Sequence, residues 1–278
     1  QGLVDVVFKK FGNVGFVNTS KNWDNWNTIV NSLQKTGDVI KIAMVGKYVT
    51  LADSYVSVNE ALKHASASIG RSVNIDWIDS ETLNGNLDQL HNFDGVLVPG
   101  GFGTRGSEGI IDTATYALEK NIPYLGICFG FQLAAVAFGR KMCNLENANS
   151  TEIVSDTTNP IVDLLPEQKD ETDMGGSLRL GANEIMISQD SLAHKTYSSD
   201  KIFKRHRHRY EFNTKYRDEF LKNGMIFSGE SDDGKRMEIL EVPSHKFFLG
   251  VQFHPEFSSR PGFPEDAFKT FVSTASQN

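Results

Sequence analysis

The sequence predicts an α/β fold: a mostly parallel sheet covered on both faces, with antiparallel additions. Three observations carry this expectation. Short apolar runs rich in β-branched residues recur from Val39 onward, and amphipathic helical stretches separate the first of them. The later apolar runs stand close together, as antiparallel neighbours do.

Residues 1–38 read differently from the rest. Leu3 to Phe8 suits one helical or extended turn, and a polar stretch carrying Trp23 and Trp26 follows. Ile29, Val30 and Leu33 then give a short amphipathic helix that Thr36-Gly37-Asp38 ends. No core can be assembled from this segment alone, so it is expected to dock on something else as a leader or linker.

Residues 39–45 form a short apolar run stopped by Gly46, the pattern of a buried strand. Ser57 and Glu60 match a capping box, and Val58, Ala61, Leu62, Ala65 and Ile69 share one helical face. Strands are expected over 73–78, 95–98 and 123–127, with a helix over 110–119. A further helix over 131–138 is expected to end at Gly139. Residues 166–177 are polar and Gly-containing, as in a surface loop. The remaining strand candidates are 184–187, 225–228, 237–242 and 247–253.

The 278 residues fit one large domain or two small ones, and 39% hydrophobic content supplies a full core. Twenty-eight basic against 35 acidic residues leave a net charge of −7, which argues against a chain held on nucleic acid by phosphate contacts. The longest apolar runs fall well short of the roughly 18–20 residues of a membrane span. Two cysteines exclude a disulfide-dense secreted scaffold, and with no signal-like start the expected location is cytoplasmic. The first residue is Gln1 rather than Met, so the chain is expected to be a piece of something larger.

Gly126-Ile127-Cys128-Phe129-Gly130 lies between an expected strand and an expected helix. It is the sharp elbow that lifts a nucleophile above a sheet edge, with Cys in the nucleophile's place. The helix that follows points its N-terminus at the sulfur, which favours thiolate, and the Phe129 N–H is placed to receive an oxyanion. Cys143 lacks that setting and reads as core. A Cys nucleophile needs a base, and His254 follows an apolar strand with Glu256 two residues on. A carboxylate holding one ring nitrogen turns the other toward the thiol. Alone, His-Pro-Glu also fits a surface turn.

After Pro99, five of ten residues are Gly. Such a loop offers unobstructed N–H groups for an oxyanion or a phosphate, but the chain has no phosphate-loop motif. Residues 204–209 are basic and read as a solvated face, or as a carboxylate- or phosphate-holding patch if they lie near the cleft. No His/Cys spacing suggests a metal site.

These three elements together resemble the class I (triad) glutamine amidotransferases. More narrowly, the chain is similar to the glutaminase domains of CTP synthases. That likeness rests on Val45-Gly46-Lys47-Tyr48, Asp53-Ser54-Tyr55, Val98 through Gly103, Asn149-Ser150-Thr151-Glu152, Met174-Gly175-Gly176, Arg205 through Glu211, and Gln252 through Phe257. The resemblance implies the family's flavodoxin-like fold over residues 39–278. Residues 1–38 would be the tail of an absent synthetase domain plus a linker.

It further implies Cys128 as nucleophile, His254 as base and Glu256 as the orienting acid. Gly100, Gly101 and the Phe129 N–H would form the oxyanion hole. Gly101, Phe129, Gly130, Phe131, Gln132, Glu152 and Arg209 would line a pocket for L-glutamine. Phe102, Arg105 and Glu108 lie where the family's GTP activator is thought to act. No cofactor is implied for this domain, since ATP and Mg belong to the absent synthetase domain. That domain is the implied partner, in a homotetrameric enzyme that binds neither nucleic acid nor membrane. One departure stands out: the family's usual Cys-Leu-Gly-Met-Gln is Cys128-Phe129-Gly130-Phe131-Gln132 here, which leaves the backbone contacts intact but changes the shape near Phe131.

Overall fold

The computed structural model describes residues 3–12, 24, 26, 27, 29–31, 39–51, 53–83, 85–164 and 178–277. Trp23, Leu33, Thr36-Gly37-Asp38, the loop expected over 166–177 and its Met174-Gly175-Gly176 lie outside the described residues. The strands are β1 (Val39–Gly46), β2 (Ser72–Asp79), β3 (Gly95–Val98), β4 (Tyr124–Ile127), β5 (Ala148–Ser150) and β6 (Asn159–Asp163). They continue with β7 (Arg179–Ile187), β8 (Lys201–His208), β9 (Glu211–Phe212), β10 (Ile226–Ser231), β11 (Met237–Glu241) and β12 (Phe248–Val251). The helices are α1 (Leu3–Phe11), α2 (Val56–Ser68), α3 (Ser107–Lys120), α4 (Phe129–Lys141), α5 (Leu192–Tyr197), α6 (Arg217–Lys222) and α7 (Asp266–Ala275).

The large sheet runs β2-β1-β3-β4-β12-β11-β10-β7-β8. Its first five strands are parallel, and each later neighbour is antiparallel. β3 and β4 are buried at every residue, because helices cover both faces and leave no face for polar side chains. On one face Ile110 and Ala114 of α3 and Leu133 and Phe138 of α4 pack in one apolar cluster. On the other, Leu62 and Ala65 of α2 meet Phe268 and Phe271 of α7. A small sheet, β5-β6-β9, stands apart. The C-terminal ends of β3, β4 and β12 lie side by side, and the loops leaving them carry all three chemical motifs.

Three local expectations need correction. α2 begins at Val56 with Tyr55 as N-cap and no side-chain cap bond, so Ser57 and Glu60 form no capping box; Glu60 pairs with Lys63 at 2.7 Å instead. α4 passes through Gly139 to Lys141, because Gly139 does not adopt the left-handed conformation of a helix-ending glycine. The basic run at 204–209 is not a solvated face. It is the end of β8, where Lys204, His206 and His208 point inward and alternate with exposed Arg205 and Arg207. Of the two alternatives for Leu3 to Phe8, the helical one holds, within α1.

Candidate active site

Cys128 adopts φ 52° and ψ −97° between β4 and α4, a conformation that L residues rarely hold. The flanking glycines make it possible. A Cβ on Gly126 would come within 2.7 Å of the Gly130 backbone, and one on Gly130 within 2.4 Å of the Val98 carbonyl. The Cys128 N–H donates to the Val251 carbonyl at 2.7 Å, tying the elbow to β12, and the Tyr124 hydroxyl donates to the Gly130 carbonyl at 2.9 Å. Phe129 is the first residue of α4, so its N–H has no partner within the helix.

His254 follows β12 and opens a short 3₁₀ turn, Pro255–Ser258, whose proline fixes the backbone. Its N–H donates to the Arg205 carbonyl at 2.8 Å, and its Nδ1 lies 2.8 Å from Glu256 Oε1. Burial works to lower its pKa, but hydrogen bonds and attraction from the Cys128 sulfur and Glu256 outweigh it, and His254 is raised to about 10. The imidazole is therefore an imidazolium at neutral pH, held between sulfur and carboxylate.

Gly100 lies against both groups: a Cβ there would stand 2.9 Å from His254 Cε1 and 3.8 Å from Cys128 Cβ. The loop it belongs to is clamped by a residue that had no assigned role. Lys47, only 4% exposed, donates from Nζ to the Phe102 carbonyl at 2.9 Å and to the Gly103 carbonyl. The same Nζ lies 4.2 Å from the Phe129 ring centroid, a cation–π contact. Burial lowers Lys47 to about 8, with Glu152 acting against that and Arg105 adding to it. Glu152 closes the other side, accepting from the Gly103 N–H at 2.8 Å.

A cleft of about 750 Å³ opens above the sulfur. Of the residues expected to act, Cys128, His254, Gly100, Gly101, Phe102, Gln132, Glu152 and Arg209 line it. Glu256 stands behind His254, 8% exposed. Phe131 does not line the cleft as expected. It is fully buried in the α3–α4 cluster and lies close to Gly250. Phe129 and Gly130 do not line the cleft as expected either: the Phe129 ring packs against Lys47 and Gly101, and Gly130 packs against Val98.

Phe102 is 68% exposed at the mouth, near Tyr48. Arg105 is held by Glu81 at 2.9 Å, with its guanidinium 5.9 Å from the Tyr48 ring centroid. Glu108 pairs instead with Arg140 at 2.6 Å, and neither Arg105 nor Glu108 reaches the cleft. Tyr48, Tyr55, Arg207, His208 and Tyr210 also line it. The Arg207–Tyr210 set was legible only as a basic run, although its strand alternation was present. Burial pushes the Cys143 thiol up to about 11, in keeping with a core role. Among the described residues no group of three or more His, Cys, Asp or Glu is placed to hold a metal ion, and no helix is long and apolar enough to cross a membrane.

Comparison with known proteins adds sequence and shape to this geometry. Residues 50–274 match the family model for glutamine amidotransferase class-I. The CTP synthase of Halalkalibacterium halodurans is 49% identical over 252 residues, covering 90% of this chain and 47% of that protein. That of Staphylococcus haemolyticus is 47% identical over 277 residues, covering 99% and 51%. The chain thus spans about half the length of the curated relatives it matches. Among solved structures, the glutaminase domain of Trypanosoma brucei CTPS with bound acivicin superposes with a TM-score of 0.81 at 36% identity, covering 86% of this chain and 94% of that one.

Proposed function

The chain belongs to the class I glutamine amidotransferase family, among the glutaminase domains of CTP synthases, and on that premise we propose that it releases ammonia from L-glutamine through Cys128. The Cys128–His254–Glu256 alignment at the cleft, with His254 Nδ1 2.8 Å from Glu256 Oε1, is the observation that carries this reading.

In the proposed sequence the Cys128 thiolate attacks the side-chain amide carbon of glutamine. The N–H groups of the Gly100–Gly101 loop and of Phe129 receive the oxyanion, each donor worth on the order of 10²–10³ in rate. The His254 imidazolium gives its proton to the departing nitrogen, the C–N bond breaks, and a γ-glutamyl thioester and ammonia result. Neutral His254 then takes a proton from water, whose oxygen attacks the thioester, and glutamate leaves as the thiolate returns. Glu256 holds the ring throughout.

Glu152 and Arg209 flank the sulfur on the cleft wall, an acidic and a basic group suited to the α-amino and α-carboxylate ends of an amino acid. A purine nucleotide activator would be met at the mouth by Phe102 and the Tyr48–Arg105 stack rather than by Glu108, which Arg140 engages. The ammonia would serve an ATP- and Mg-dependent amination of UTP in a synthetase portion outside residues 39–278. We expect residues 1–38 to belong to that neighbour, and the assembled enzyme to be a tetramer. Incubation with an electrophilic glutamine analogue tests the reading: Cys128 should be labelled and ammonia release should stop, whereas labelling elsewhere would contradict it.

A further inference from the structure

We propose that Gln252 is a catalytic residue outside the triad, its side-chain amide donating a hydrogen bond to the Cys128 sulfur and favouring the thiolate. The inference rests on the glutaminase reading above and adds a fourth group to it. Gln252 follows β12, is fully buried, and does not line the cleft, so it meets the sulfur and not the substrate. Its N–H donates to the Glu238 carbonyl at 2.8 Å, which pins its backbone to β11. Its Nε2 lies 3.7 Å from Cys128 Sγ, within reach of a large sulfur acceptor.

The direction of that bond follows from its neighbours, since the oxygen and nitrogen of an amide are told apart by their partners. The Tyr210 carbonyl can only accept, and a Gln132 side-chain atom lies 2.9 Å from it; that atom must be the nitrogen. The same Nε2 is 3.3 Å from the Gln252 side chain, which must therefore present its oxygen there. The Gln252 nitrogen is left facing the sulfur. A flipped Gln252 would set two NH₂ groups against each other and an oxygen against the thiolate.

A second branch stiffens the same carbonyl. His208 Nδ1 lies 3.2 Å from the Tyr210 oxygen, and His206 Nδ1 lies 3.0 Å from His208 Nε2. Burial, with nearby cations, lowers His206 to about 3 and His208 well below the usual range, so both rings stay neutral and their donor order is fixed. The sulfur needs such a donor, because the Arg207 carbonyl lies 3.9 Å away and offers it only an acceptor. His254 also stabilises the thiolate, but surrenders its proton during the reaction. The Gln252 amide N–H does not ionise, so it supports the sulfur as leaving group when the thioester breaks.

The test is the pH dependence of Cys128 alkylation by iodoacetamide, read on its peptide by mass spectrometry, in the parent chain, Gln252→Met and the isosteric Gln252→Glu. Besides Cys128 itself, the charged and titratable groups facing the cleft are Tyr48, Tyr55, Glu152, Arg207, His208, Arg209, Tyr210 and His254, and all stay in place in these variants. In Gln252→Met, alkylation at neutral pH should slow roughly tenfold, the low end for a hydrogen bond to a charged group. The profile should move to higher pH, further still in Gln252→Glu, with kcat lowered and KM for glutamine nearly constant. Profiles superimposing on the parent's in both variants would overturn the proposal. In the unaltered chain, the side-chain amide NMR signals of Gln252 should shift as Cys128 is alkylated, and unmoved signals would overturn it without any variant. A parent that releases no ammonia would remove the glutaminase reading, yet a Gln252-dependent alkylation profile would still support the bond to sulfur.

Discussion

Replacing Cys128 with Ala should release His254 from its high pKa. The ordinary value is 6.5, and in the folded chain the ring is raised to about 10. Burial is the largest single influence and acts downward; the sulfur and Glu256 act upward, with the sulfur the stronger in both hydrogen bonding and charge. Removing it therefore takes away the stronger upward influence, and His254 in Cys128→Ala should titrate well below its parent value. The sign for stability follows. A raised folded pKa stabilises the parent below the unfolded value of 6.5, and this contribution is lost as pH rises toward about 10. The variant should show a smaller loss over that window. The assay is NMR of histidine-labelled protein from pH 5 to 11, in which His206 and His208 stay neutral and do not confuse the assignment. A parent His254 titrating near 6.5, or a variant value unchanged from the parent, would refute the ion pair.

Glu256→Gln keeps the hydrogen-bonding shape but removes the charge 2.8 Å from His254; kcat should fall on the order of 10²–10³-fold with His254 titrating lower, as steady-state ammonia release and the same NMR assay would show. Gly130→Ala forces a Cβ to within 2.4 Å of the Val98 carbonyl. It should cost about 3 kcal/mol, lowering Tm by about 6–12 °C in calorimetry. Lys47→Met removes the clamp on the Phe102 and Gly103 carbonyls, and kcat/KM at pH 7 should drop about tenfold with the loss of a charged donor. Because Lys47 loses its charge near pH 8, the parent's kcat/KM should also decline above that pH, a decline absent from the Lys47→Met profile.

Much of the site was readable from local pattern. The elbow shows itself because Gly126 and Gly130 fill gaps that admit no side chain, and His254 because an apolar strand delivers it beside a carboxylate. Phe131 was misread for a physical reason: the helical position facing the core and the one facing the cleft differ by one residue in the first turn of α4, and Gln132 has the latter. Lys47, Tyr210 and Gln252 had no legible role, since each acts through a partner 55, 78 or 124 positions away. Such pairings arise from the parallel sheet, which sets strands distant in sequence side by side. β8 was obscured by its composition, because a basic run conceals an alternation that buries every second residue.

The intermediate most specific to this chemistry is a covalent adduct on one sulfur. Rapid acid quench of the chain turning over L-glutamine, followed by peptide mapping, should find a γ-glutamyl thioester on Cys128, removable by hydroxylamine and absent from Cys128→Ala. Ammonia release by Cys128→Ala at the parent's rate, or an adduct on Cys143 instead, would contradict it.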